Sequence, residues 1–204
     1  MFSGIVQACV PIVDVTAKPG LSRITVRITS ELSKGLVRGA SVSLSGACLT
    51  AISVKKNLVS FEAMQETLDK TTLGTARKGE KLNLERSIRF GDEIGGHVVS
   101  GHVDAMVTIA KISKPKNNHI VTFKCHAAIM RYVFQKGFIA LDGVSLTVVG
   151  VDRKNNTFTV HFIPETLRTT SFGFKKEGDN VNVEVDRLTM AVVEATLHNQ
   201  ASRK

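Results

Sequence analysis

Apolar residues in this chain come in short runs that alternate with polar positions or stay apolar for a few residues. Examples are ASVSLSG (40–46), LTAISV (49–54), IALDG (139–143), LTVVGV (146–151) and FTVHFI (158–163), punctuated by Gly, Asn and Lys. A period near two predicts strands, and many short strands with regular turn signals predict an all-β closed barrel or sandwich. Two stretches break the pattern, MQETLDKT (64–71) and PETLRTT (164–170), and each predicts one short helix. In the second, Pro164 stands near the helix start, where its missing N–H removes no hydrogen bond. The last stretch, DRLTMAVVEATLHNQ (186–200), has neither Gly nor Pro and reads as a helix. Leu188, Ala191, Val192 and Ala195 form one apolar stripe, and Met190, Val193 and Leu197 form a second beside it. A face this wide predicts packing on a neighbouring subunit or docking on the chain's own barrel.

The pattern occurs twice. At an offset of 97 residues FSGIVQA (2–8) matches VSGHVDA (99–105), and LSGACLT (44–50) matches LDGVSLT (141–147). The offset then becomes 99, where ETLDKTTLG (66–74) matches ETLRTTSFG (165–173) and KGEKLNLE (78–85) matches EGDNVNVE (177–184). The two extra residues enter where KKN (55–57) becomes DRKNN (152–156), which predicts a hairpin turn there because turns absorb length changes that strand registers do not. The division expected is residues 1–96, 97–186, and a final helix and tail over 187–204.

Composition narrows the function classes. The hydrophobic share of 43% is enough for packed cores and too high for a disordered chain. The net charge of +9 fits a nucleic acid, a membrane surface or an anionic ligand, but the Lys and Arg are dispersed. With no Trp and Tyr132 as the single Tyr, the aromatic platforms of a single-strand binder are missing, so no nucleic acid is expected. Three widely spaced cysteines, Cys9, Cys48 and Cys125, fit neither a disulfide framework nor a zinc knuckle and point to a reducing compartment. No apolar run approaches the roughly 20 residues of a membrane span, and the N-terminus lacks a basic leader. A cytoplasmic protein without membrane contact is expected.

The candidate chemistry recurs with the repeat. Each copy carries a Ser-Gly pair (Ser3-Gly4, Ser100-Gly101), a Gly-x-Cys/Ser-Leu-Thr segment holding Cys48 or Ser145, and a Glu-Thr-Leu helix start. Singly these are turn and cap residues; recurring as a set, they suit a flat, carbonyl-rich heterocycle. His102 has Ile5 as its repeat partner, so one copy has gained an acid/base group. His97 and His102, five apart, do not share a strand face, and no metal site is expected. Asp186 reads either as an active-site charge or as the cap of the last helix.

MFSGIV, SGACLT, FGDEIGGHVVSGHVD, KGFIALDGVSLTV, IPETLRTT and VNVEVD together resemble, in order, the riboflavin synthase family, and the resemblance runs from Met1 to about Leu197. It implies two six-stranded antiparallel β-barrels and a C-terminal helix, a homotrimer, and no cofactor or metal. It implies transfer of a four-carbon unit between two molecules of 6,7-dimethyl-8-ribityllumazine, each site built from two barrels of neighbouring subunits, and it leaves association with lumazine synthase open. Carried over by motif, the N-terminal barrel would hold one lumazine with Gly4, Ile5, Val6, Cys48, Leu49, Thr50, Glu62, Ala63, Met64, Gln65, Glu66 and Thr67. The C-terminal barrel would hold the other with Gly101, His102, Val103, Lys136, Ser145, Leu146, Thr147, Ile163, Pro164, Glu165, Thr166, Leu167 and Arg168. Phe2, Ser41, Cys48, His102, Ser145, Thr147 and Asp186 match the activity-sensitive positions. Cys48 and Ser41 would serve the N-barrel substrate, His102 and Thr147 would move protons at the C-barrel, and Asp186 would orient that cluster. Ser45 stands where many members carry Asn, and Ala47 where some carry a second Cys. The rival is a non-catalytic antenna relative with the same fold; that group loses the SGH and the Thr of SLT in the second barrel, and this chain keeps both His102 and Thr147.

Overall fold

The computed structural model describes residues 1–116 and 118–202. Strands β1 (Ala8–Lys18), β2 (Leu21–Arg27), β3 (Ser41–Leu44), β4 (Ala47–Lys55), β5 (Leu58–Met64) and β6 (Lys81–Arg86) close one antiparallel barrel in the order β1-β2-β5-β4-β3-β6. Strands β7 (Ala105–Ser113), β8 (Ile120–Lys124), β9 (Phe138–Leu141), β10 (Val144–Asp152), β11 (Thr157–His161) and β12 (Asn180–Val185) close a second, with β10-β11-β8-β7-β12-β9 around the ring. Helices α1 (Ser30–Ser33) and α2 (Gln65–Lys70) belong to the first copy, α3 (Ala127–Met130) and α4 (Pro164–Thr169) to the second, and α5 (Arg187–Ala201) follows. The length change between copies falls in the β4–β5 and β10–β11 turns, as the offset predicts.

Alternation builds each core. In β2 and β5 every second residue is buried, which places Ile24, Val26, Val59 and Phe61 inside the first barrel. Phe123, Val121, Phe158 and Val160 do the same in the second, where Phe123 stacks on Phe158 at 5.3 Å between ring centroids. Register shifts repeat too: Ile12/Asp14 and Ala51/Ser53 in one barrel correspond to Ile109/Lys111 and Val148/Gly150 in the other. Bulges bend a strand, and sheets this narrow need such bends to close.

The barrels clasp each other reciprocally. Phe2 pairs with Val99 as an isolated bridge. The buried Asn83 side chain donates to the Asp142 carbonyl (3.0 Å) and accepts from the Ser171 N–H (2.7 Å). Asn182, its repeat mate, donates to the Ser45 carbonyl (2.7 Å) and accepts from the Thr72 N–H (2.7 Å). The two-residue turns Ser45-Gly46 and Asp142-Gly143, all four residues at positive φ, meet at this junction. The symmetry breaks at one charge: buried Asp142 faces Lys175 at 3.1 Å, while its mate is the neutral Ser45. Burial pushes the Asp142 carboxyl above its ordinary value, against the pull of Lys175.

Helix α5 docks by one stripe only. Met190 packs on the second barrel's core, while Leu188 is 78% and Val192 66% exposed. Its N-cap is Asp186, whose carboxylate accepts from the Thr189 N–H (3.0 Å) and hydroxyl (2.6 Å). Burial works against the charged Asp186, but these bonds win and hold its pKa below the ordinary carboxylate value. A depressed folded pKa means that the stabilisation is present above the unfolded pKa of about 3.9 and is lost as pH falls through the folded one. Asp186→Ala is therefore expected to lower stability at pH 7 by about 1 kcal/mol, and Asp186→Asn by much less, since Asn caps nearly as well. Thermal denaturation of both variants checks this, with the Asp186→Ala deficit shrinking in acid.

Candidate active site

Each barrel's N-terminal segment leaves its own first strand and seats on the other barrel. Cys48 N–H donates to the Gly101 carbonyl and Ser145 N–H to the Gly4 carbonyl, both at 2.8 Å. Val6 packs on the second core and Val103 on the first. The sequence reading grouped Gly4, Ile5 and Val6 with Cys48; the structure instead sets Gly4–Val6 beside Ser145 and Gly101–Val103 beside Cys48. Chain order carries no information about which hairpin a crossing segment lies against, and the inter-barrel backbone bonds decide it.

The contact is close enough to exclude side chains. Gly101 has φ +83, and a Cβ there would lie 2.5 Å from Cys48 Cβ and 2.8 Å from Phe2 Cε2; a Cβ on Gly4 (φ +75) would lie 2.5 Å from Ser145 Cβ. Phe2 is fully buried with Val99 and Ala140, and Cys48 packs against this cluster. Phe2 is thus a wall behind Cys48 without access to solvent.

Two buried carboxylates hold the crossing segments. Glu85, at the end of β6, accepts from Ser3 N–H (2.7 Å), Ser3 Oγ (2.7 Å) and Gly4 N–H (3.1 Å). Glu184 on β12 accepts from Ser100 N–H (2.7 Å), Ser100 Oγ (2.7 Å) and Gly101 N–H (2.9 Å). Burial raises the pKa of Glu85, against these donors, which favour the charged form. Neither Glu nor the clasping Asn83 and Asn182 was singled out from sequence. The available signal was their recurrence as Asn-x-Glu at one offset, on strands where a single copy would read as ordinary alternation.

Between the barrels on the Cys48 side lies a 560 Å³ cleft. It is lined by Ala47, Cys48, Gly101, His102, Val103 and Asp104, together with Glu66, Thr67, Lys70 and Thr71 of the α2 turn and Arg187 at the start of α5. Of the predicted residues, Cys48, Glu66, Thr67 and Gly101 to Val103 come together here; Ser145, Thr147 and Asp186 do not line it. Arg187 ties the start of α5 to the crossing segment, donating to the Asp104 carboxylate (2.9 Å) and the His102 carbonyl. Asp104 also accepts from the Val185 N–H, at 2.8 Å.

The remaining candidates sit as follows. Ser41 pairs with Thr50 across β3 and β4, and Phe138 with Thr147 across β9 and β10; both threonines are exposed. Leu49 and Leu146 are core residues, and Ala63 is buried. Glu62 pairs with Arg23 at 2.8 Å, while Met64 and Gln65 are exposed at the α2 start. Ile163, Pro164 and Glu165 are exposed at the α4 start, Thr166 and Leu167 are half-buried, and Arg168 pairs with Glu165. Leu167 and Arg168 line a separate hollow with Cys9 and Lys81. Lys136 is exposed at positive φ, its N–H bonded to the Val148 carbonyl. Among the described residues no three His, Cys, Asp or Glu side chains converge as a metal ion would require.

The lumazine binding domain model matches the chain twice, over residues 3–87 and 100–186. Riboflavin synthase of Escherichia coli (strain K12) is 43% identical over 205 residues, covering 100% of this chain and 95% of the relative. Riboflavin synthase of Chlamydia pneumoniae is 40% identical, covering 99% and 98%. Crystal structures of LumP superpose with TM-scores of 0.84 for the complex with riboflavin and 0.82 for that with 6,7-dimethyl-8-(1'-D-ribityl) lumazine. These cover 92% and 91% of this chain and 100% and 99% of LumP, and at 22% identity they show a shared fold. Two matched barrels, a binding domain that fits each, and riboflavin synthases aligned from end to end place the chain in the riboflavin synthase family.

Proposed function

We propose that this chain catalyses riboflavin formation from two molecules of 6,7-dimethyl-8-ribityllumazine, with 5-amino-6-ribitylamino-uracil as second product. The observation that carries the reading is the pair of matched hairpins, Cys48 against Gly101 and Ser145 against Gly4, in a chain aligned throughout with riboflavin synthases. Two identical substrates in opposite roles need two similar sites that differ at a few positions. Much of the acceleration then comes from holding the rings together, for which effective molarities reach about 10⁵ M or more.

Each half of the chain would take one lumazine, residues 1–96 and 97–186 being the expected units. His102 opens on the Cys48 cleft, whereas Thr147 lies on the strand of Ser145. They serve one reaction if neighbouring subunits set the Cys48 side of one against the Ser145 side of the next. A homotrimer held through the exposed α5 stripe would do this: Leu188, Val192 and Val193 line an apolar hollow with Phe134. Sedimentation should give three times the 22.1 kDa chain mass. No helix among the described residues is long and apolar enough to cross a membrane, and a cytoplasmic location fits the three free thiols. Association with lumazine synthase rests on the family resemblance alone, and co-sedimentation tests it.

Incubation with the lumazine should produce riboflavin absorbance. Binding without turnover would instead assign the chain to the antenna proteins, a reading that the presence of both His102 and Thr147 disfavours. Cys48→Ser should bind lumazine with nearly unchanged affinity and turn over several-fold more slowly; unchanged turnover would make Cys48 a wall only.

A further inference from the structure

We infer that His97 is a positioning residue for Ser145 and makes the Ser145 site chemically different from the Cys48 site. The inference rests on the riboflavin synthase reading of these two sites. His97 Nδ1 lies 2.7 Å from Ser145 Oγ. The imidazole is stacked on Phe138, 5.2 Å between centroids and 15° between planes, and only 8% of the residue is exposed. The linker is seated there by close contact as well: a Cβ on Gly96 would lie 2.4 Å from the Ser3 carbonyl oxygen and 2.8 Å from Ser145 Oγ. His97 is therefore fixed by its neighbours on two sides, and its bond to Ser145 is not one of many that a surface side chain could exchange.

The surroundings set the form of the ring. Burial pushes the His97 pKa below its ordinary value, and the Asp186 carboxylate at the N-cap of α5 pulls the other way. The ring is thus neutral at neutral pH, with one nitrogen able to accept and one to donate. In the tautomer protonated on the far nitrogen, Nδ1 accepts a hydrogen bond from the Ser145 hydroxyl, whose oxygen is left to accept from a ligand. In the other tautomer Ser145 keeps its proton to donate. Either way the imidazole determines what Ser145 offers a ring bound beside it.

Nothing equivalent serves Cys48. Among the described residues no imidazole hydrogen-bonds the Cys48 thiol, which is free. The Cys48 cleft is lined instead by His102 and by the Arg187 guanidinium, which pairs with Asp104 at 2.9 Å. One site therefore presents a hydroxyl bonded to a buried imidazole, and the other a thiol in a cleft shared with His102 and the Arg187–Asp104 ion pair. That difference lets two identical lumazines take opposite roles.

The test separates hydrogen bonding from packing. His97→Phe keeps the stack on Phe138 and loses the bond, whereas His97→Asn loses the stack and keeps a hydrogen-bonding group near the Nδ1 position. His97→Phe should lower kcat by about tenfold, the scale of one lost catalytic hydrogen bond, with KM and the melting temperature close to the parent values. His97→Asn should recover most of that loss. In a Ser145→Ala background, adding His97→Phe should change kcat by less than about twofold, because a residue acting through Ser145 has nothing left to act on. Full additivity in that cycle, or His97→Asn no better than His97→Phe, overturns the inference. A parent protein that binds lumazine and forms no riboflavin overturns the functional reading instead. The same cycle read on lumazine dissociation constants then decides the His97–Ser145 coupling by the same criteria.

Discussion

Gly101→Ala is expected to lower riboflavin formation by about a hundredfold or more, while Gly178→Ala stays within about twofold of the parent, since misplacing a bound ring by about 1 Å carries a penalty of that larger order. Both glycines have positive φ, +83 and +90, so both substitutions carry the same left-handed strain of roughly 1–2 kcal/mol. They differ in what the new methyl meets. At Gly178 nothing lies within 4 Å; at Gly101 the methyl would meet Cys48 Cβ at 2.5 Å and the Phe2 ring at 2.8 Å. Phe2 is fully buried and has no room to swing away, so the strain is relieved by moving Cys48 and the crossing segment that bears His102. Steady-state kinetics and melting temperatures of the two variants check this. Equal losses in both would mean that the Cys48–Gly101 contact does not position substrate.

The second large effect concerns the clasp. Asn182→Ala would leave the Ser45 carbonyl and the Thr72 N–H without partners, groups now bonded at 2.7 Å each. An orphaned buried polar group carries a penalty of about 1–3 kcal/mol, so the variant should lose about 2–6 kcal/mol. Against a typical stability of about 5–15 kcal/mol that is a large fraction. Asn83→Ala should behave alike, because it releases the Asp142 carbonyl and the Ser171 N–H. Urea denaturation supplies the measurement. Losses under about 0.5 kcal/mol in both, the size of an ordinary surface change, would show that the clasp adds nothing to stability.

Much of this was legible because repetition doubles every signal. Strand alternation in one copy is ambiguous, but the same alternation at an offset of 97 or 99 residues, with the length change confined to one turn, specifies two like barrels. The helices at 65–70 and 164–169 follow from local chemistry that needs no partner from afar, and the structure decides the open choice at Asp186 in favour of the cap. Less was legible where a residue's partner is distant in sequence. In the sequence His97 stands only beside His102 as an unsuitable metal pair, and Glu85 and Glu184 as ordinary strand residues; each takes its meaning from a contact 48, 82 or 84 residues away.

What the sequence determined by itself is the duplicated β framework, the composition of its two cores and the pairs of residues that must play like parts, because hydrophobic period and turn chemistry are local properties. What only the tertiary structure decided is which segment faces which hairpin. Gly101 meets Cys48 and Gly4 meets Ser145 because each glycine's carbonyl accepts a backbone bond from the opposite barrel. Such bonds depend on the packing of surfaces far apart in the chain, and no local pattern records them.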